Sequence, residues 1–221
     1  MNFFEAPYPQ TMLVNFLLGL TSLFWSYRIT HLQGKQKLGI SLFFLCSGLS
    51  LIAGGFYHGF YLVPANETAS SLWFFSHVFS IFSVSFLQWG SMDIWCKNEQ
   101  QRKNFMILVM GQFVIMLTYR ILVPSFLLVA ISFGLATLHL ILVSYKASIE
   151  AIKGSKWLLT GLSFVMLSGV VFLFKDKTEE TLYLLNVSHA ILGIGFYQMF
   201  LGVKVLPNAF PKSAFLPIGN S

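Results

Sequence analysis

Seven apolar runs, each about twenty residues long, dominate the chain. They cover residues 11–28, 38–62, 70–95, 104–120, 123–145, 155–174 and 182–203. At a helical rise of about 1.5 Å per residue, each is long enough to cross the hydrocarbon of a bilayer. In lipid every backbone N–H and C=O must be satisfied within the protein, which leaves a helix bundle or a closed barrel. Long uninterrupted runs, rather than short alternating ones, select the bundle. Composition agrees: 56% of the residues are hydrophobic and only 10% are charged, where a soluble domain carries about a quarter. The expected fold is therefore all-α, a polytopic transmembrane bundle of seven helices forming a single integral membrane domain over residues 1–221. The fourth and fifth runs are separated by "RILVP" at 120–124, and Pro124 is expected to open the fifth helix.

Loop charge sets the expected orientation. Arg28, Lys35, Lys37, Lys97, Arg102, Lys103, Lys146, Lys153, Lys156, Lys204 and Lys212 fall on one side, against Arg120, Lys175 and Lys177 on the other. The positive-inside rule then puts the N-terminus outside and the C-terminus in the cytoplasm. The net charge of +6 lies in short loops, so no nucleic-acid partner is expected, and no protein partner is evident. The expected location is integral and multi-pass, in the plasma or inner membrane of a bacterium or an endomembrane of a eukaryote. Trp73, Trp89, Trp95 and Trp157 stand near run ends, as interfacial anchors do. Asn66 heads a formal glycosylation acceptor in an outside loop. Cys46 and Cys96 give no disulfide framework. The first ten residues have no basic region of the signal-peptide kind.

Ionisable side chains inside a membrane are costly and are functional candidates by default. His58, His77 and His189 lie in the second, third and seventh runs. Counting residues from the run ends puts all three roughly 6–11 Å below the outer boundary. His139 falls near the inner boundary. Asn15, Tyr57, Ser76, Ser80 and Asn186 share the outer layer. Three neutral imidazoles and a water would make a catalytic zinc site with one open position, and Asn15 and Asn186 could orient the ligands from behind. The alternative is interhelical hydrogen bonding with no metal. Gly54, Gly55 and Gly59 around His58, and Gly193 and Gly195 after His189, permit close helix approach. Gln112 and Gln198 are expected to bond between helices.

The seven-span plan and the "AGGFYHGF" string at 53–60 resemble the superfamily that includes alkaline ceramidases and the progestin/adiponectin-receptor proteins. His58 matches that family's histidine in the second helix, and His189 one histidine of its seventh-helix pair. Gly54 stands where the family has Ser, His77 stands in the region of its acid, and Gly193 follows His189 where a second histidine would be. The chain is also similar to small seven-span proteins carrying a Y-H-G string. The superfamily resemblance implies an intramembrane zinc hydrolase acting on a lipid amide.

Three functions are expected from these residues. The first is a zinc-dependent hydrolase of a membrane lipid amide or ester. His58, His77 and His189 would bind the metal, and Tyr57 or Ser80 would steady the oxyanion. The second is a non-catalytic receptor, small-ligand-binding or assembly protein whose polar layer is a pocket or a packing network. The third is a haem protein for electron transfer with two histidines as axial ligands.

Overall fold

Proline and asparagine set two of the helix starts. Pro9 opens α1 (Pro9–Thr30), where its missing N–H costs no helical bond. The Asn98 side chain accepts from the Gln101 amide at 2.9 Å and caps α4 (Glu99–Leu122). Between them lie α2 (Lys35–Phe60) and α3 (Glu67–Trp95); α5 (Leu127–Ile149), α6 (Ser155–Leu173) and α7 (Leu182–Val205) follow. The computed structural model describes residues 8–32, 35–60, 67–96, 98–123, 127–173 and 182–206. Pro124, Asn66, Lys97, Lys175, Lys177 and Lys212 lie outside the described residues. All seven helices are long and apolar enough to cross a membrane. The protein is an all-α, integral, multi-pass membrane protein, and its seven helices match the expected runs with shifted ends. The largest shift is at α4, where "EQQRKN", polar enough to read as a loop, is helical behind the Asn98 cap.

Six helices close a ring in the order α1, α2, α3, α5, α6, α7 and back to α1, with α4 outside against α3 and α5. Burial follows this plan: 61% of the apolar window of α2 is buried, against 17% for α4. The α4 face bearing Ile107, Leu108, Ile115 and Ile121 is exposed and suited to lipid.

Small residues bring the hairpins together. Gly154, Gly161 and Ser168 on the α6 side face Gly202, Gly195 and Ser188 of α7. The steps are seven residues on both strands of this antiparallel ladder. A Cβ at Gly161 would lie 2.7 Å from the Gly195 carbonyl oxygen. Gly19 and Ser26 of α1 face Gly48 and Ser41 of α2 in the same manner. Without a hydrophobic drive between helices in lipid, such close backbone approach and interhelical hydrogen bonds supply the association energy.

The serine pairs are reciprocal. The Ser168 hydroxyl donates to the Ser188 carbonyl at 2.8 Å, and the Ser188 hydroxyl donates back at 3.0 Å. Ser26 with Ser41, and Ser50 with Ser76, repeat the arrangement. On α3 and α4, Gln88 donates to Gln112 at 3.0 Å, as expected of an interhelical glutamine. Gln198 Oε1, by contrast, is buried without a hydrogen-bond partner among the described residues.

The apolar core occupies the half of the bundle nearer the basic loops. Phe43 and Phe44 of α2 pack edge-on to Phe196 of α7 at 5.3 and 5.6 Å, and Trp25 stacks on Phe200 at 5.7 Å. Leu140, Leu162 and Met199 complete this cluster. The opposite half is less filled, and it holds the site described next.

Candidate functional site

A cavity of about 450 Å³ lies within the ring of helices. Of its lining, Phe133, Val165 and Phe196 also belong to or pack on the aromatic core. Its walls carry Ser50 of α2, Ser80 and Ser83 of α3, Thr137 of α5, Ser168 of α6, and Ser188 and His189 of α7. No Asp, Glu, Lys or Arg lines it among the described residues. On the α5–α6 side the wall is thin. Leu127, Ile131, Val170 and Leu173 line the cavity and are also exposed on the outer surface. A Cβ added at Gly134 or Gly169, both in this wall, would meet nothing within 4 Å. Little but these residues separates the cavity from the outer surface of the bundle on this side.

Most hydroxyls of the wall are already engaged. Ser50 donates to the Ser76 carbonyl, so at the 2.9 Å contact between Ser80 and Ser50 it is Ser80 that donates. Ser83 donates to the Ser80 carbonyl at 3.1 Å. His189 donates from Nδ1 to the Leu185 carbonyl at 2.6 Å. A carbonyl can only accept, so Nδ1 carries a proton. Thr137 differs: it is 1% exposed and its hydroxyl has no partner among the described residues.

The other expected residues lie around the cavity in separate groups. Tyr57 stacks on Trp73 at 4.6 Å, and the edge of His58 meets Tyr57 at 5.5 Å and Tyr8 at 6.4 Å. Trp73 in turn meets buried His77 at 4.1 Å. Arg120, in the last turn of α4, donates from Nε to His77 Nδ1 at 2.6 Å, and its guanidinium lies 5.0 Å from the Phe74 ring. Asn15 donates to the Thr11 carbonyl, and the Thr11 hydroxyl donates to Asn186 at 2.8 Å, tying α1 to α7.

The structure thus brings Ser80 and His189 to one cavity, and links His58, Tyr57 and His77 through the Trp73 ring. It does not gather the three histidines into one site. Among the described residues no group of three or more His, Cys, Asp or Glu side chains is placed to hold a metal ion. Two residues carry more than their sequence context signalled. Arg120 counted only as loop charge, yet it is buried against His77. Thr137 sits in an apolar run with no local mark, and only the tertiary fold shows that its hydroxyl is unmatched.

The Family of unknown function (DUF6962) matches residues 10–208, and the chain belongs to that family. The match carries no tie to the ceramidase and progestin/adiponectin-receptor superfamily. No curated protein and no solved structure matches the chain.

Proposed function

We propose that this member of a family of unknown function binds a small, largely apolar molecule in the cavity of its bundle and takes it up sideways from the bilayer. The carrying observation is the cavity itself. Its volume of about 450 Å³ is in the range of small-molecule sites, roughly 300–1,000 Å³. Its wall is apolar with a few polar atoms, and its α5–α6 side is thin at two glycines. In the orientation read from loop charge, N-terminus outside and C-terminus in the cytoplasm, the cavity belongs to the outer half of the membrane. The aromatic core closes it from the cytoplasmic half.

The test uses purified protein in lipid nanodiscs and an alkyl diazirine probe. Binding predicts saturable photolabelling that Gly134→Phe or Gly169→Phe reduces several-fold, because a ring at either position thickens the α5–α6 side. Labelling that rises linearly with probe, equal in wild type and both variants, overturns the reading.

The placement of the histidines favours binding over zinc-dependent hydrolysis. A catalytic zinc needs its three imidazoles in one coordination sphere, about 2.0–2.1 Å from the metal. Here His77 Nδ1 accepts from a guanidinium, and His189 lines the cavity apart from the aromatic group that joins His58 to His77. Metal analysis separates the two readings: binding alone expects no stoichiometric zinc. One zinc per chain, lost in His58→Ala, would return the hydrolase to first place. A Soret band from the same sample would do so for haem.

A further inference from the structure

We propose that the cavity selects an uncharged lipid bearing a hydroxyl or carbonyl oxygen, with Thr137 as the polar anchor. This rests on the cavity being a binding site and specifies what it takes. A molecule arriving from lipid gains little by burying its tail, because the tails it leaves are equally apolar. Recognition must come from shape and from polar atoms that the bilayer core does not offer.

Thr137 is the polar atom that the fold leaves for that purpose. A serine or threonine within a helix usually turns its hydroxyl back to the carbonyl four residues earlier. Thr21, Ser85, Thr160 and Ser163 all do so here, at 2.6–3.1 Å. Thr137 does not. Its Oγ1 is buried without a partner among the described residues, on a side chain that lines the cavity. A buried hydroxyl without a partner carries a desolvation penalty that a ligand oxygen relieves. The oxygen that relieves it is neutral, because a carboxylate, phosphate or ammonium would enter a chamber whose described lining contains no counter-charge.

The experiment is photolabelling in nanodiscs with two probes of equal length, a diazirine-bearing hexadecane and the corresponding hexadecanol. Unlabelled hexadecanol, hexadecanoate and hexadecyltrimethylammonium serve as competitors. Hexadecanol is expected to compete best in wild type. Thr137→Val should weaken it roughly fivefold, the loss of one neutral hydrogen bond. Labelling by the alkane probe should be unchanged in that variant, and Thr137→Ser should restore the alcohol preference. Thr137→Val should fold and melt as wild type does, since it removes an unmatched buried hydroxyl. If neither probe labels saturably, the cavity is not a binding site and both readings fall. If both probes label but Thr137→Val leaves the hexadecanol affinity unchanged, or if a charged competitor is preferred, this inference alone is overturned.

Discussion

Arg120 carries a full charge in a span and is only 6% exposed, with a neutral imidazole and a phenyl ring as its partners. Its place in the last turn of α4 is favourable, because unsatisfied carbonyls gather at a helix C-terminus. The two members of the pair are therefore unequal. His77→Leu removes the acceptor and leaves the cation buried, which should destabilise by about 2–4 kcal/mol. Arg120→Met leaves a neutral ring and should lose about 1 kcal/mol or less. Denaturant titrations of the two single variants and the double variant measure this, and the double should recover most of the His77→Leu loss. Equal losses, or a double variant worse than either single, would contradict the assignment. The sequence made His77 legible because any imidazole in an apolar run invites attention. Arg120 was not legible, since a charge near a run end reads as loop until the fold shows where the side chain packs. Depth counting placed the histidines in one outer layer, but depth says nothing about helix rotation. Rotation sends His189 to the cavity and His77 to Arg120.

The α6–α7 ladder and the α5–α6 turn supply predictions for elements. A leucine at Gly161 would drive its side chain into the Gly195 carbonyl and the Met199 backbone, and Gly161→Leu should cost about 3 kcal/mol or more by forcing two helices apart. Gly169→Leu, at the residue after Ser168 and so turned away from the ladder, meets open space and should leave thermal stability near wild type. A comparable loss in both variants would show that the ladder is not the close contact described. At the end of α5, Ala151 has φ 56°, its N–H bonds the Ser148 carbonyl, and the Ile152 N–H bonds the Ala147 carbonyl. This is a Schellman ending with alanine at the position where glycine is usual. Ala151→Gly should raise stability by about 0.5–1 kcal/mol, by relieving left-handed strain; a lower melting temperature would contradict it. The seven-residue spacing of Gly154, Gly161 and Ser168 is visible in the sequence, as is that of Ser188, Gly195 and Gly202. What spacing alone did not reveal is that the two series face each other, because antiparallel register depends on the length of the connecting turn.

For the whole molecule, hydropathy was enough to give seven membrane helices, since length and charge exclusion by lipid leave few alternatives. The closed ring, with α4 outside it, was not readable, because every run is apolar on all sides and the lipid face looks like the core face. The orientation belongs to this scale: a fluorescent protein fused after Ser221 should mature in the cytoplasm, and failure there with success at the N-terminus would invert the assignment. The central claim is that the ring encloses a lipid-accessible binding chamber. Peptide mapping of alkyl diazirine cross-links in nanodiscs tests it most directly. Saturable adducts are predicted on the α5 and α7 segments that carry Thr137 and Leu192, displaced by excess unlabelled alkane, while outward Ile107 and Leu142 label without saturation. Adducts confined to outward residues, with none on the chamber wall, would contradict it.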